Sequence, residues 1–557
     1  MTDAPVDLLV RGTLVNVHTG RLETDAAVAI DDGEIVALVE READREIETG
    51  YIAPGLIDAH MHVESSMVTP PRYGQAVVPK GVISVIHDPH EIANVLGEEG
   101  VRAVIEDARH TPLKVRFSVP SSVPASPLQD NGATVGPEAV ERLLDEDEVV
   151  ALGEVMNIPG VVSGDPDVHA KIDAARERGL TVDGHMPQVR GDTLQAVARY
   201  LDNDHESISL DEAREKADAG LRVYLREGSS SRNLADLVGL VEQVDSRYLS
   251  LCTDDRDVVD IVEHGGVDFA LRKAIREGVD PVTAVQMGSL NTAESYGLPF
   301  GRVRPGSPAD LVLLADLETW DVEHVLVDGK LDPTEGEAEH PPTALATDTV
   351  RVPEIEPADL AISAPEGADG QVSVRVIDSL GGLQTARMEA SVPVSNGWLQ
   401  GDLDADVVPI AVIERHSGEK DVGVGFVHGL GLERGAIGST IAHDAHNLVV
   451  AGTTYDAMAR VANHLRKIDG GIAAYEPAAD SMTSLSLPAA GLIADRPLAD
   501  VAEEFEAVEA AATDLGVDQE AGLMELSFLP LEVIPEYRIT NNGLVDVTQM
   551  EYVDVIA

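Results

Sequence analysis

The sequence predicts an α/β protein with a metal-dependent (β/α)8 barrel, a small composite β-sandwich domain and an additional C-terminal α+β domain. Strand-like and helix-like segments alternate between residues 56 and 299, β-rich pieces flank that block, and a different pattern begins at residue 351. The predicted domains are residues 1–55 with 300–345 (the composite β domain), 56–299 (the barrel) and 351–557 (the C-terminal domain).

The 557-residue chain is strongly acidic, with 40 Lys and Arg residues against 99 Asp and Glu residues, a net charge of −59. Its hydrophobic content of 44% is ordinary for a globular protein, which argues against a disordered chain. Because such a surface repels phosphate, we expect no nucleic-acid partner. The acidity is typical of a haloarchaeal-type protein in molar salt, where charges are screened over ~3 Å.

Cysteine content and hydropathy narrow the cellular context. Cys252 is the single cysteine of the sequence, which excludes an intramolecular disulfide and a Cys-rich zinc module. The first residues, MTDAPVDLLV, have neither the basic region nor the apolar core of a signal peptide. The sequence has no apolar run of 18 or more residues, so we expect no membrane span and a cytoplasmic protein.

Short β-rich runs open the chain over residues 5–50, and Asp32-Gly33 predicts a hairpin turn between two of them. A similar piece returns from Pro308 to Lys330. Two such pieces on either side of a central block predict one β domain built from both.

Eight candidate strands fill the central block, in roughly the 250 residues that a barrel needs. They are residues 55–60, 82–87, 113–119, 149–155, 180–185, a weak strand near 199–204, 221–227 and 248–254. Helical stretches such as EIANVLGEEGVRAVIEDAR and DVHAKIDAARERG lie between them.

Residues 331–350 are rich in Pro, Glu and Thr and predict a linker. The part of the chain after it has β-rich runs such as GQVSVRVID and ADVVPIAVIER, a helix DAMARVANHLRKI and an Ala/Glu-rich helix near residues 500–516. This mixture predicts an α+β domain.

A His-x-His pair, His60 and His62, ends the first barrel strand. Residues two apart in a strand point to the same face, so both imidazoles would face one point in space. Imidazole binds zinc, iron and related ions, and barrel enzymes carry catalytic groups where strands end. The pair therefore predicts part of a metal site, with two hydrogen-bonded histidines on a polar edge as the alternative.

Polar side chains also follow the later strands. Together with the pair they form an ordered series of candidate ligands and acid–base groups: His60, His62, Glu154, His185, His205 and Asp254. Each residue alone is weak evidence, since a strand-end histidine is often only a hydrogen-bonding group, but the ordered series predicts a metal centre.

This set of residues has a chemical rationale. Two divalent ions a few ångströms apart need a bridging anion, and the Glu154 carboxylate can bridge. Asp254 can bind one ion and also accept a proton from a water whose pKa the metals lower toward ~7. The series therefore predicts a hydrolase that attacks an electron-poor carbon while a carboxylic acid protonates the leaving group.

Several motifs resemble the adenine deaminases of the amidohydrolase superfamily. The resemblance covers Val6 to Val547 and keeps the motif order, through PGLIDAHMHVESSMVTP, HDPHEIANVLG, GEVMNIPGVV, DGHMP, DNDHE, CTDDR and GAIGSTIAHDAHNLVVAG. Related dihydroorotases and hydantoinases typically carry a carboxylated lysine that bridges the two metal ions, whereas the residue that resembles this bridge here is Glu154. That difference favours adenine deaminase.

The resemblance implies hydrolysis of adenine to hypoxanthine and ammonia, in purine salvage or catabolism, at a binuclear manganese, iron or zinc centre. It implies that the six residues above are the metal and acid–base set, and that Asp88 and Glu91 join Asp254 and Glu154 as catalytic residues. We expect Glu91 or Asp88 to hydrogen-bond the purine or relay a proton, with a helix N-cap as the alternative. A homo-oligomer, a dimer or larger, is usual for the family.

The roles of some polar residues stay open at this point. Glu64 either orients a ligand histidine or is a loop carboxylate, and Arg226 either contacts substrate or forms a salt bridge. Asp255 is expected to be structural. The late motif His443, Asp444 and His446 is a candidate secondary metal site, with a buried polar network as the alternative.

Three departures from the family pattern, at Ile86-His87, Met186 and Asn203, leave every proposed ligand intact. Met186 could narrow the pocket, which makes the substrate less secure than the reaction. The alternatives are another cyclic amidine or amide hydrolase, acting on a modified purine or a hydantoin-like ring, and a non-catalytic metal-binding paralog.

Overall fold

The computed structural model describes residues 5–334, 340–381, 383–517 and 522–557. The chain forms two compact units. The first contains residues up to 89, 104–122 and 136–342, and the second contains residues 90–103, 123–135 and 343–557. The second unit therefore includes two short segments that the sequence alone assigned to the barrel.

The first β-rich piece folds as four strands. They are β1 (Val6–Asn16), β2 (Arg21–Asp31), β3 (Glu34–Ala37) and β4 (Ala43–Pro54). Asp32 and Gly33 form the predicted two-residue turn between β2 and β3, and their φ angles of 48° and 78° are the positive values that a type I′ hairpin turn requires.

Eight short strands follow at the predicted positions. They are β5 (Leu56–Met61), β6 (Val82–His87), β7 (Lys114–Val119), β8 (Val149–Val155), β9 (Thr181–Gly184), β10 (Asn203–Asp204), β11 (Arg222–Arg226) and β12 (Leu249–Cys252). β5 to β9 pair in order, and so do β10 to β12, all in parallel. The amide of Asp202 donates to Val182 O (2.9 Å) and that of Asp254 to His60 O (3.0 Å). These bonds join the two sets at both seams and close the barrel, in which β10 is the weak strand, as expected.

Helices alternate with these strands. They are α1 (Pro70–Val77), α2 (His90–Ala108), α3 (Pro137–Leu143), α4 (Ile158–Ser163), α5 (Pro166–Glu177), α6 (Gly191–Val197), α7 (Leu210–Asp218), α8 (Leu234–Leu237), α9 (Val258–Glu263), α10 (Val267–Arg276), α11 (Pro281–Met287) and α12 (Leu290–Ser295). Proline opens α1, α3, α5 and α11, because the first helical residue needs no amide donor and proline already has a helical φ.

The second β-rich piece supplies β13 (Leu311–Asp316), β14 (Asp321–Val327) and β15 (Lys330–Leu331). β13 pairs antiparallel with β4, placing Leu313 opposite Ile52. The two pieces therefore form one seven-stranded sheet in the order β15-β14-β13-β4-β1-β2-β3. Of the predicted linker 331–350, residues 335–339 lie outside the described part of the chain, and residues 340–350 contain no helix or strand.

The second unit is an α+β fold. Its helices are α13 (Pro357–Leu360), α14 (Tyr455–Lys467), α15 (Leu498–Asp514) and α16 (Gly522–Phe528). Its strands are β16 (Gln371–Ser379), β17 (Thr385–Ser395), β18 (Trp398–Leu399), β19 (Val407–Ile413), β20 (Val422–His428), β21 (Ala436–Ser439), β22 (Leu448–Gly452), β23 (Gly471–Glu476), β24 (Ser481–Ser486), β25 (Tyr537–Thr540), β26 (Gly543–Asp546) and β27 (Glu551–Tyr552). Nine of them form one sheet, β18-β17-β16-β20-β19-β22-β21-β23-β24. Met458, Val461 and Leu465 of α14 belong to the core cluster that covers this sheet.

Hydrogen bonds join the two short segments to each other and to the rest of the second unit. Gly132 N donates to Asn94 O at 2.9 Å. Asp130 N donates to Asn541 Oδ1 at 3.0 Å, and Asp130 O accepts from Asn447 Nδ2 at 2.8 Å. Within the described part of the chain, no helix is long and apolar enough to cross a membrane.

Candidate active site

The structure brings all six predicted ligands together at the carboxyl ends of the barrel strands. They are His60 and His62 at the end of β5, Glu154 on β8, His185 after β9, His205 after β10 and Asp254 after β12. His185 is partly exposed and the others are buried. Their positions follow from the barrel, because parallel strands bring their carboxyl ends to one rim.

Glu154 lies between two pairs of histidines. Its Oε1 is 3.2 Å from His60 Nε2 and 3.1 Å from His62 Nε2. Its Oε2 is 2.6 Å from His185 Nδ1 and 3.6 Å from His205 Nε2. One carboxylate thus presents a separate oxygen to each pair, as a ligand shared by two metal ions would.

Asp254 completes the group around the first histidine pair. Its Oδ1 is 3.1 Å from His62 Nε2 and 3.6 Å from His60 Nε2. Its backbone has a φ of 58°, in the left-handed region that costs a non-glycine residue free energy. The hydrogen bond from its amide to His60 O holds this conformation, which aims the carboxylate at the imidazoles.

The histidine nitrogens fit a metal at this position. Among the described residues, both ring nitrogens of His205 make no hydrogen bond although they are buried. A buried polar atom left unpaired costs about 1–3 kcal/mol, a cost that a bound ion would remove. His62 Nδ1 lies 2.8 Å from the carbonyl of Asp88, so Nδ1 would keep its proton there while Nε2 binds an ion.

The charges of the cluster also favour a cation. Burial raises the pKa of Glu154 and of Asp254, but His185 beside the first and Arg226 beside the second outweigh it, so both pKa values lie well below the usual range. Burial lowers the pKa of His60, but Asp254 and Glu154 raise it to about 10. Imidazole and carboxylate donors of this kind suit zinc, iron and manganese.

Asp88 holds the backbone of Glu154 through a hydrogen bond. Its Oδ2 accepts the backbone N–H of Glu154 at 2.9 Å. A Cβ at position 153 would lie 2.0 Å from that oxygen, so Gly153 is what lets the two approach. The N-cap of α2 is Pro89 and no side chain caps it, so Asp88 does not take the N-cap role that was its alternative.

Three other predicted residues lie near the cluster, and Arg226 is the one whose contact described here is with a candidate ligand. Glu64 Oε2 is 3.5 Å from His87 Nε2. Asp255 accepts a hydrogen bond from Ser65 Oγ at 2.5 Å, which agrees with a structural role. Arg226 Nη1 donates to Asp254 Oδ2 at 2.5 Å, the salt bridge that was one of its two alternatives.

Sequence reasoning missed Glu206 and Lys216. Glu206 Oε1 contacts Arg226 Nη1 and lies 3.6 Å from His205 Nε2, and its place directly after a ligand histidine was the available signal. Lys216 on α7 is fully buried and donates to Asp204 Oδ2 at 2.8 Å and to Met186 O at 2.6 Å. It joins the segments that carry His185 and His205, and no local pattern indicates this.

A second cluster lies within the second unit. Glu91, in the first turn of α2, has its Oε1 2.8 Å from His443 Nδ1, and its Oε2 contacts His446 Nε2. The sequence grouped the two histidines with Asp444, whereas the structure groups them with Glu91. The new partner is 355 residues from His446 in the chain, too far for any spacing rule to find.

Comparison with known proteins gives consistent matches. Residues 51–331 match the amidohydrolase family, and residues 383–551 match the adenine deaminase C-terminal domain. The chain is 38% identical to an adenine deaminase of Desulfatibacillum aliphaticivorans over 99% of its own length and 98% of the relative's. It is 39% identical to one of Salinibacter ruber, with 99% of both chains covered. A third, from Methanothermobacter thermautotrophicus, is 40% identical over 98% of this chain and 99% of its own.

Proposed function

Since the chain belongs to the adenine deaminase family, we propose that it hydrolyses adenine to hypoxanthine and ammonia, in purine salvage or catabolism. The observation that carries the proposal is the match to relatives of that name over almost the whole chain, barrel and C-terminal domain alike. A different cyclic amidine or amide hydrolase and a non-catalytic paralog are not favoured, because the relatives share one name and the candidate ligand set is intact.

The amidohydrolase match and the ligand cluster support a divalent metal centre. We propose further that it is binuclear and holds manganese or iron, with zinc as the third candidate. His60, His62 and Asp254 would hold one ion, His185 and His205 would hold the other, and Glu154 would be shared. When bound, such ions polarise the substrate and lower the pKa of a water toward ~7.

The protein side chains handle the protons of the reaction. Water oxygen adds to C6 of adenine, and the exocyclic nitrogen leaves as ammonia. Asp254, whose Oδ2 accepts a hydrogen bond from Arg226, accepts the proton of the attacking water and passes it to the leaving nitrogen. Asp88 keeps the backbone of Glu154 in place through its hydrogen bond.

Glu91 is the proposed group that hydrogen-bonds the purine or relays a proton to a ring nitrogen. The proposal comes from its place in the DPHE segment, three residues after Asp88. Glu91→Gln keeps the shape of the side chain but removes the charge, so we expect kcat to fall by about 10²-fold or more. Undiminished turnover by this variant would remove Glu91 from the mechanism.

The decisive experiment measures adenine turnover in molar KCl, by ammonia release and by the absorbance change to hypoxanthine. The protein is stripped with a chelator and reloaded separately with manganese, ferrous iron or zinc. We expect activity to disappear with the metal and to return with it, and adenine to outperform modified purines and hydantoins. An inert protein that still binds two equivalents of metal would contradict the proposed function.

We also propose that the enzyme is a cytoplasmic homo-oligomer, a dimer or larger, without a nucleic-acid partner. The family resemblance supports the oligomer, and the net charge of −59 argues against a polyanionic partner. Light scattering coupled to gel filtration in molar KCl tests this, and a monomer at micromolar concentration would contradict it.

A further inference from the structure

We propose that His446 is a positioning residue whose Nε2–H group holds the carboxylate of Glu91 in one orientation. The proposal rests on the function proposed for Glu91 in adenine hydrolysis. It gives the late AHDAHN motif, which the reaction scheme above leaves unused, a defined task. The contact lies entirely within the second unit.

The tautomer of His446 follows from its backbone neighbour. The amide N–H of Ala442 donates to His446 Nδ1 at 3.2 Å, and an N–H group can donate only to an unprotonated nitrogen. A neutral imidazole then carries its single proton on Nε2, the atom that contacts Glu91 Oε2. His446 is therefore the donor and Glu91 the acceptor in this hydrogen bond.

The loop around His446 leaves the ring little freedom. His446 has a φ of 55° and its amide donates to Ala442 O at 2.7 Å. Its carbonyl accepts from Arg415 Nε, and the next residue, Asn447, donates to Asp130 O at 2.8 Å. A non-glycine residue in the left-handed region persists only where its surroundings hold it, and such residues are concentrated at functional sites.

The carboxylate of Glu91 is held at both oxygens. Oε1 lies 2.8 Å from His443 Nδ1, and the His443 ring stacks on Phe528 at 4.8 Å. Glu91 is also in the first turn of α2, which is interrupted at Gly97 (φ 63°), and unpaired N–H groups of a first helical turn favour a negative charge. The carboxylate therefore has two directional donors in a buried setting, which fixes its plane.

The protonation states agree with this arrangement. Burial raises the pKa of Glu91, but His443 outweighs it, so the pKa lies well below the usual range. Burial lowers the pKa of His446 to about 4 against the opposing charge of Glu91. His446 is therefore neutral and Glu91 is ionised, which agrees with the tautomer that places the ring proton on Nε2.

The hydrogen bond from the amide of Ala442 to His446 Nδ1 argues against a metal ion at His446. A metal would need the lone pair on Nε2, which would move the ring proton to Nδ1. That proton would then point at the N–H group of Ala442, two donors facing each other at 3.2 Å. The candidate secondary metal site thus becomes the competing outcome of the experiment.

The experiment compares His446→Leu with His446→Gln in the full-length, metal-loaded enzyme. Leucine removes the donor, and we expect kcat to fall about 10- to 100-fold, the effect of losing a hydrogen bond to a charged group, with KM nearly unchanged. Glutamine keeps an N–H group near the position of Nε2 and should recover most of the loss. The control is His464→Gln, a half-buried histidine of α14 that bonds to Ser484 Oγ.

A double-mutant cycle tests whether His446 acts through Glu91. In the Glu91→Gln background, His446→Leu should lower kcat no further, because contacting residues are not additive. Independent, multiplicative losses would overturn the proposal, and so would full activity of His446→Leu. Loss of a metal equivalent in both His446 variants would instead make His446 a metal ligand.

The two proposals can fail separately. A wild type without adenine turnover removes the proposed function, and the cycle is then measured in the free energy of unfolding. Non-additive losses of unfolding free energy in the cycle would support the His446–Glu91 hydrogen bond. Additive losses would contradict it. If His446→Leu does not fold, His446→Gln is compared with the wild type, and a folded glutamine variant whose kcat has fallen about 10-fold or more contradicts the donor role.

Discussion

Arg226 and Asp254 form a buried ion pair in which Nη1 lies 2.5 Å from Oδ2. The other oxygen of Asp254 faces His62 at 3.1 Å. One oxygen of the Asp254 carboxylate thus pairs with a guanidinium, and the other faces the candidate metal ligands. The pair keeps Asp254 ionised in a buried position, which its proposed exchange of a proton with water requires.

Arg226→Met should damage both stability and turnover. It leaves the buried Asp254 and the half-buried Glu206 without their shared cation, and breaking a buried pair costs about 3–5 kcal/mol of unfolding free energy. We expect kcat to fall by about 10²-fold as Asp254 becomes harder to ionise. Denaturant titration and steady-state kinetics measure the two effects. Arg460→Met, at a surface pair with Asp456, is the control, and equal effects of both substitutions would contradict the assignment.

Glu154→Gln should lower the metal content of the protein. An amide cannot supply two anionic oxygens to the two histidine pairs, so we expect the variant to retain at most about one metal equivalent where the wild type holds about two. Elemental analysis of the purified protein measures this independently of activity. His264→Gln, an exposed histidine of the first unit, is the matched control. Full metal loading of Glu154→Gln would rule out a bridging role.

Lys216→Met tests the buried link behind His185 and His205. Lys216 Nζ lies 2.8 Å from both Asp204 Oδ2 and Glu212 Oε1, so its removal leaves two buried carboxylates unpaired. We expect a loss of about 3–5 kcal/mol in unfolding free energy. Lys420→Met breaks an exposed pair with Asp359 and should cost about 0–1 kcal/mol. A loss as small for Lys216 would show that water or protonation replaces the ion pair.

Glu532→Gln should change how stability depends on pH. Burial and then Asp444 raise the pKa of Glu532 from 4.5 to about 7, so the folded protein binds a proton there more tightly than the unfolded chain. The stabilisation is complete below pH 4.5 and is lost as pH rises through about 7, by roughly 3 kcal/mol. The glutamine variant should lack this decline relative to wild type in denaturant titrations at several pH values. Parallel pH curves would contradict the shift.

Potassium chloride should raise the midpoint of thermal unfolding. The net charge of −59 repels itself in the folded state, and molar salt screens this repulsion over ~3 Å. Sucrose at equal osmolality is the control, because it stabilises without screening charge. Equal stability in low and molar KCl would show that the acidic surface is not an adaptation to salt.

The local sequence was enough for the barrel and for the rim on which the candidate ligands lie. Strand periodicity placed all eight strands, and the ends of those strands placed His60, His62 and Asp254 on one rim. This works because side-chain direction alternates along a strand and because parallel strands share one direction. The same reasoning found the turn at Asp32 and Gly33, whose residue types favour the positive φ angles that a two-residue hairpin turn requires.

The sequence by itself therefore determined the order of strands and helices and the identity of the six candidate ligands. Only the tertiary structure decided that Glu154 presents one oxygen to each histidine pair. The same is true of the ion pair between Arg226 and Asp254, and of the position of Glu91 between His443 and His446. These are contacts between residues far apart in the chain, and they form through packing. Local periodicity predicts the face of a strand or helix on which a side chain lies. It does not predict which distant side chain contacts it.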